Sequence, residues 1–174
     1  MNNIKLGALL FLLIIIIHQP VMPSITTTDY INPADGYNFT EIDRHALNAP
    51  VSVKDSISSL ALYLAEPARN DLEKARAIFI WVAANIYYDT EGYRTHDYGD
   101  ISPEGVLKSG KAVCSGYAGL FKTLADNMNL HCIEISGICK GLGYKTGEKM
   151  IKIPNHAWNA VRINGKYHLI DSTW

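Results

Sequence analysis

Lys111-Ala112-Val113-Cys114-Ser115-Gly116-Tyr117-Ala118-Gly119-Leu120-Phe121 puts a cysteine where a glycine-containing loop, Ser109-Gly110-Lys111, gives way to a strongly periodic run. From Tyr117 the apolar positions are Tyr117, Leu120, Phe121, Leu124, Ala125 and Met128, the spacing of one buried helix face. Cys114 stands one turn before Tyr117 on that face, in the first turn of the helix. Unpaired backbone N–H groups and the helix dipole favour negative charge there. A thiol so placed is biased toward the reactive thiolate. Its competing role is that of a small buried hydrophobe, common for free cysteine. What else the chain brings must separate the two.

The totals narrow the choice. A chain of 174 residues suffices for one domain with a substantial core. The formal charge is −1 with acidic and basic residues interspersed, so no basic patch marks a nucleic-acid partner. With 48% hydrophobic residues the chain is not a disordered one. Met1 to Ser24 reads as a secretory signal peptide: Lys5 is a sparse basic start, and Leu6 to Ile17 an unbroken apolar run. That run is short of the about 20 residues a membrane span needs. No Ala-x-Ala marks a cleavage site, so an uncleaved anchor is the alternative, and only then would a membrane be involved. No cysteine precedes Cys114, which excludes a lipoprotein anchor. Export is therefore expected, to the periplasm, the cell surface or the medium.

Residues 25–45, rich in Thr, Asn, Asp and Pro without a period, read as an extended leader, and residues 46–174 as the domain. Asp55-Ser56 opens a helix with Ile57, Leu60, Ala61 and Leu64 on its inner face, stopped by Pro67. Asn70 and Glu73 form a capping-box-like pair before a second helix. Its expected inner face is Ala75, Ile78, Phe79, Val82 and Ile86, with Trp81 and Asn85 on the flank. Glu91 to Asp100 reads as a polar loop, and Ser102-Pro103-Glu104 as a further helix start, ending near Gly110. After the cysteine helix the period drops to 2. His131 to Lys140 is an expected strand, Gly141 to Pro154 a connection that could edge a cleft, and His156 to Ile163 and Lys166 to Asp171 the last strands.

Cys132 and Cys139 fall on opposite faces of the first strand, roughly 23 Å apart at about 3.3 Å per residue. A disulfide needs about 4.4–6.8 Å between Cα atoms, so free thiols are expected. No C-x-x-C spacing suggests zinc, and no cofactor is implied.

Asn164-Gly165 between the last two strands is a strong two-residue hairpin signal. Such a turn sets Ile163 across from Lys166. Counting back, Trp158 lies opposite Asp171, His156 opposite Thr173, and His168 opposite Val161. Opposed residues share a face, as do alternate residues of one strand. His156, Trp158 and Asp171 then project from one face, with Asp171 the diagonal neighbour of His156 at about 7–8 Å by backbone. His168 points to the other face. A helix-start cysteine, a histidine and a carboxylate on one hairpin face together fit a nucleophile, its base and the group that orients the base.

Three segments resemble the motifs of the transglutaminase-like superfamily. They are Ala112-Val113-Cys114-Ser115-Gly116-Tyr117-Ala118, Asn155-His156-Ala157-Trp158-Asn159 and Leu169-Ile170-Asp171-Ser172-Thr173-Trp174. Upstream, Ile80-Trp81, Asn85-Ile86 and Tyr88-Asp89 resemble the helix-to-loop motif of bacterial and kyphoscoliosis-peptidase-like members. The resemblance implies a papain-like α+β fold, with the cysteine helix packed on an antiparallel sheet carrying His and Asp. It implies thiol chemistry on amide bonds of a protein or peptide, a cell-wall or surface protein among the candidates. Cys114 would attack as thiolate, His156 would protonate the departing amine, and Asp171 would hold the imidazole tautomer. The Cys114 backbone N–H would stabilise the oxyanion; the motifs name no second donor. Ala112 stands where many relatives have Gly. Relatives also continue their sheet past the position of Trp174, so a C-terminally truncated core is expected. Water as acceptor would make a peptidase or amidase, and a lysine amine a protein-glutamine acyl transferase. The alternative is a non-catalytic surface or scaffold module that keeps the fold for binding.

Overall fold

The computed structural model describes residues 36–141, 144–147, 149 and 152–173. The expected signal segment, most of the leader, part of the connection before Pro154, and Trp174 lie outside the described residues. The described chain forms an α+β fold in which helices α1 (Thr40–Leu47), α2 (Ile57–Ala65), α3 (Asp71–Asn85), α4 (Thr90–Thr95), α5 (Pro103–Ser109) and α6 (Cys114–Asn127) precede a three-stranded sheet. That sheet runs β3 (Cys132–Gly137), β4 (His156–Ile163) and β5 (Lys166–Ile170), antiparallel throughout with β4 central. A separate two-residue parallel bridge joins β1 (Tyr87–Tyr88) to β2 (Lys111–Ala112). Among the described residues no helix is long and apolar enough to cross a membrane.

The caps sit where the sequence puts them. The side chains of Ser56, Asn70 and Ser102 accept from the backbone N–H of Ser59, Glu73 and Gly105, each supplying a partner to an otherwise orphan helix donor. Glu73 reaches back to the Arg69 N–H at 2.7 Å, one residue before the N-cap. Gly110 closes α5 in the left-handed conformation at φ 67°, the usual glycine role there.

Core packing centres on α6. Tyr117, Leu120, Phe121, Leu124, Ala125 and Met128 are all buried, as their spacing requires. They meet Leu60 and Leu64 of α2, Ile78 and Val82 of α3, and Val161 and Ile163 of β4 in one cluster. Trp81 belongs to this core, almost fully buried, whereas Phe79 is only partly so. This reverses their expected places, because α3 is contacted by α1, α2 and α6 and buries more than a single stripe.

Three other expectations are corrected. The leader is not extended throughout: Thr40–Leu47 is helical and packs on α3, with Ile42 and Ala46 buried. A two-pronged pair, Arg76 Nε to Asp43 Oδ1 at 2.8 Å and Nη2 to Oδ2 at 2.7 Å, fastens it there. Within the expected polar loop, Thr90–Thr95 forms α4, capped by Asp89, whose Oδ1 accepts from the Gly92 N–H at 3.0 Å. Finally, β3 stops at Gly137 rather than Lys140. Cys139 lies past it, and all three cysteines are free thiols.

Candidate functional site

The hairpin register is the observed one. Asn164 and Gly165 both have positive φ, 51° and 82°, as a mirror-type two-residue turn demands. Ile163 pairs with Lys166, Val161 with His168, and the ladder runs on to Asn159 and Ile170. Asp171 is the next residue. Its Oδ2 lies 2.6 Å from His156 Nε2, a short contact in which the imidazole side chain is 4% exposed. An ionised carboxylate only accepts hydrogen bonds, so the proton of this pair sits on Nε2. The second carboxylate oxygen, Oδ1, accepts from the Thr173 N–H at 3.0 Å, which fixes the rotation of Asp171.

His156 has two further supports, one under its ring and one on the backbone before it. Its ring stacks on Trp158 with centroids 5.6 Å apart and planes 29° from parallel. Trp158 in turn lies over Gly137: a methyl group built on Gly137 would stand 2.3 Å from the indole, so only a glycine leaves room. The preceding residue, Asn155, clamps the chain beyond β3. Its Oδ1 accepts from the Cys139 N–H at 2.8 Å and its Nδ2 donates to the Cys139 carbonyl at 3.0 Å, while its own N–H donates to the Gly137 carbonyl. Sequence reasoning quoted Asn155 without giving it this role.

Cys114 is the first residue of α6, partly exposed, after Val113 in extended conformation at the N-cap. Val113 has no side-chain oxygen to cap the helix start; the Gly116 and Tyr117 N–H groups both donate to the Val113 carbonyl, which leaves the Cys114 and Ser115 N–H groups as the orphan donors of the first turn. The N-terminal half of the helix is pinned on two sides. From the sheet, buried Asn159 donates Nδ2 to the Ala118 carbonyl at 3.0 Å. Ala118 is one turn after Cys114, and Asn159 three residues after His156. From the helical side, Gly116 admits β2 so closely that an added methyl would meet the Ala112 methyl at 2.6 Å.

One further residue borders the cysteine. Tyr88 pairs with Ala112 across the parallel bridge and stacks on Tyr117 at 6.5 Å. Desolvation, helped by the nearby Cys114 sulfur, pushes its phenol up to about 12. Asp89 follows, held below the usual carboxylate range by the Gly92 N–H and then by Lys111, whose Nζ lies 3.3 Å away. Of the sequence-predicted residues, then, the structure joins His156 and Asp171 directly and sets Cys114 at the start of the helix bound to the same strand. Tyr88 was missed as a neighbour because a two-residue bridge has no periodicity to detect.

The sequence profile of the transglutaminase-like superfamily matches residues 58–172, a span containing all of these groups. The kyphoscoliosis peptidase of Mus musculus is 39% identical over 142 residues, covering 82% of this chain and 21% of the mouse protein. The Lim and transglutaminase domain protein of Caenorhabditis elegans is 31% identical over 169 residues, covering 89% of this chain and 21% of the nematode protein. The chain thus spans about a fifth of the length of these curated relatives. A candidate cysteine protease from Cytophaga hutchinsonii superposes with a TM-score of 0.54 over 82% of this chain and 45% of its own, at 19% identity, a likeness of fold. With the cysteine helix, the bridge before it and the turn-set hairpin all inside the matched span, the chain belongs to the transglutaminase-like superfamily.

Proposed function

We propose that this chain is an exported cysteine enzyme that cleaves or transfers acyl groups at amide bonds through Cys114, His156 and Asp171. The observation carrying this reading is the 2.6 Å contact of His156 Nε2 with Asp171 Oδ2, made from the strand that is tied to the Cys114 helix at Ala118, one turn after the cysteine. With Nε2 committed to Asp171, Nδ1 is the nitrogen through which His156 would exchange a proton with Cys114. The thiolate sulfur would add to the amide carbonyl, moving the π electrons onto oxygen. Collapse of that intermediate would break the C–N bond as imidazolium protonates the departing amine, leaving a thioester. Water or an amine, deprotonated by His156, would then release the acyl group. Asp171 would keep the tautomer throughout.

The substrate is a protein or peptide, and hydrolysis is the preferred outcome for a compact domain. The apolar run Leu6 to Ile17 supports export. Mass spectrometry of a peptide mixture containing Gln and Lys, incubated with the protein, separates the acceptors: cleavage and deamidation report water, and Gln–Lys cross-links report an amine. A mixture left unchanged by the parent protein and by its Cys114→Ala variant alike refutes the catalytic reading in favour of a binding module.

A further inference from the structure

We propose that Asn159 is a positioning residue: its side-chain amide, hydrogen-bonded to the Ala118 carbonyl, fixes the strand that carries His156 against the helix that begins at Cys114. The inference rests on the catalytic reading above. Alternation along β4 turns Ala157, Asn159, Val161 and Ile163 to one face, and all four are buried. Cys132 of β3, paired with Val161, belongs to the same apolar face. Asn159 breaks this pattern while 0% exposed. Its Nδ2 donates to the Ala118 carbonyl at 3.0 Å, and among the described residues its Oδ1 has no hydrogen-bond partner. The Cys132 thiol is a further neighbour of the amide, but a weak hydrogen-bonding group. A buried amide with an unpartnered carbonyl lowers stability relative to an apolar side chain of the same shape. Ala118, inside α6, already offers its carbonyl to the helical N–H four residues on, so the helix stands without Asn159. What the amide adds is a directional tie, which apolar packing lacks.

The place of the tie gives it its role. Ala118 lies one turn after Cys114 and Asn159 three residues after His156, so one hydrogen bond joins the two elements close to both reacting groups. β4 is the central strand, with Asn159 paired to Glu134 on one side and to Ile170 on the other. A strand held on both edges moves as a unit. A slip of β4 along α6 at Asn159 therefore displaces His156 and, through their 2.6 Å contact, Asp171 with it. The Asp171 contact and the Trp158 stack orient the imidazole within the hairpin; the Asn159 tie sets where that hairpin stands on α6.

Asn159→Leu is nearly isosteric and removes the tie. The measurement is acylation of Cys114 by p-nitrophenyl acetate, in the parent and in a His156→Ala background. The expected result in the parent is a fall on the order of 10²-fold in the maximal acylation rate with the ester KM unchanged, the effect of a misplacement of about 1 Å. In the His156→Ala background the same exchange should cause no further fall, because the pair it positions is already broken. The thermal unfolding midpoint should stay level or rise, since the buried unpartnered carbonyl is gone. Asn159→Val, smaller and β-branched, takes its place should leucine prevent folding. An unchanged rate overturns the inference and leaves the catalytic reading intact. An equal fall in both backgrounds also overturns it, with or without a lowered midpoint, since Asn159 would then support the fold rather than the pair. A parent whose acylation is indifferent to His156→Ala overturns the catalytic reading together with the inference.

Discussion

Gly116→Ala tests whether the close approach of β2 and α6 is what places Cys114. In a helix the exchange alone favours folding by up to about 1 kcal/mol. Here the added methyl would stand 2.6 Å from the Ala112 methyl and 3.0 Å from Val106 Cγ2. Carbon pairs rest at about 3.5–4.0 Å, so the first turn of α6 or the β2 backbone must yield by about 1 Å. The Ala112 methyl has no rotamer to escape into, and its backbone is committed to the bridge with Tyr88. Overpacking of this kind costs about 1–3 kcal/mol. Set against the propensity gain, the net loss is about 1–2 kcal/mol, or about 3–8 °C in Tm for a domain of this size. Activity should suffer more, because a misplacement of about 1 Å costs on the order of 10²-fold. Gly119→Ala is the matched control: nothing lies within 4 Å of its added methyl, so it should raise Tm slightly and spare acylation. Thermal unfolding followed by circular dichroism, with p-nitrophenyl acetate acylation at 25 °C, reads both. If Gly116→Ala matches Gly119→Ala in Tm and rate, the packing argument is refuted.

Gly137→Ala should push the Trp158 indole off its seat, since the built methyl meets the ring at 2.3 Å. Loss of the His156 stack should lower acylation and shift tryptophan emission, and an unaltered rate with an unaltered spectrum would count against that support. Cys132 is 4% exposed, and burial pushes its thiol up to about 12. It should resist alkylation in the folded protein at neutral pH. A raised folded-state value means that the unfolded chain loses this proton first. The contribution is then fully present below about pH 8.5, the ordinary thiol value, and declines as pH rises toward 12. The slope approaches 1.4 kcal/mol per pH unit at its steepest. Denaturant unfolding from pH 7 to 10 should show that decline in the parent and a flatter profile in Cys132→Ala; parallel profiles would refute it.

The parts of this molecule that could be read from sequence are those fixed by local rules. Asn164-Gly165 admits one register, and that register names His156 and Asp171 while setting His168 aside. Ser56, Asn70 and Ser102 cap their own helices, and the α6 period survives intact because one face of it is buried. What could not be read is non-local. The α1 helix is short and held by Asp43 against Arg76, thirty-three residues away. The α4 helix has almost no buried side and begins on the Asp89 cap, so a polar stretch conceals it. Tyr88 reaches the cysteine through a bridge of two residues. Asn155 looks like an ordinary loop residue until it is seen clamping both backbone groups of Cys139.

The central claim is that Cys114 is a nucleophile activated by a histidine that Asp171 orients. Iodoacetamide labelling at pH 6 to 7, with each cysteine followed by peptide mass mapping, tests it most directly. Cys114 should be alkylated well ahead of Cys132 and faster than a free cysteine peptide. That advantage should vanish in His156→Ala and diminish in Asp171→Asn. A Cys114 that reacts no faster than the peptide, or one indifferent to the loss of His156, would contradict the account.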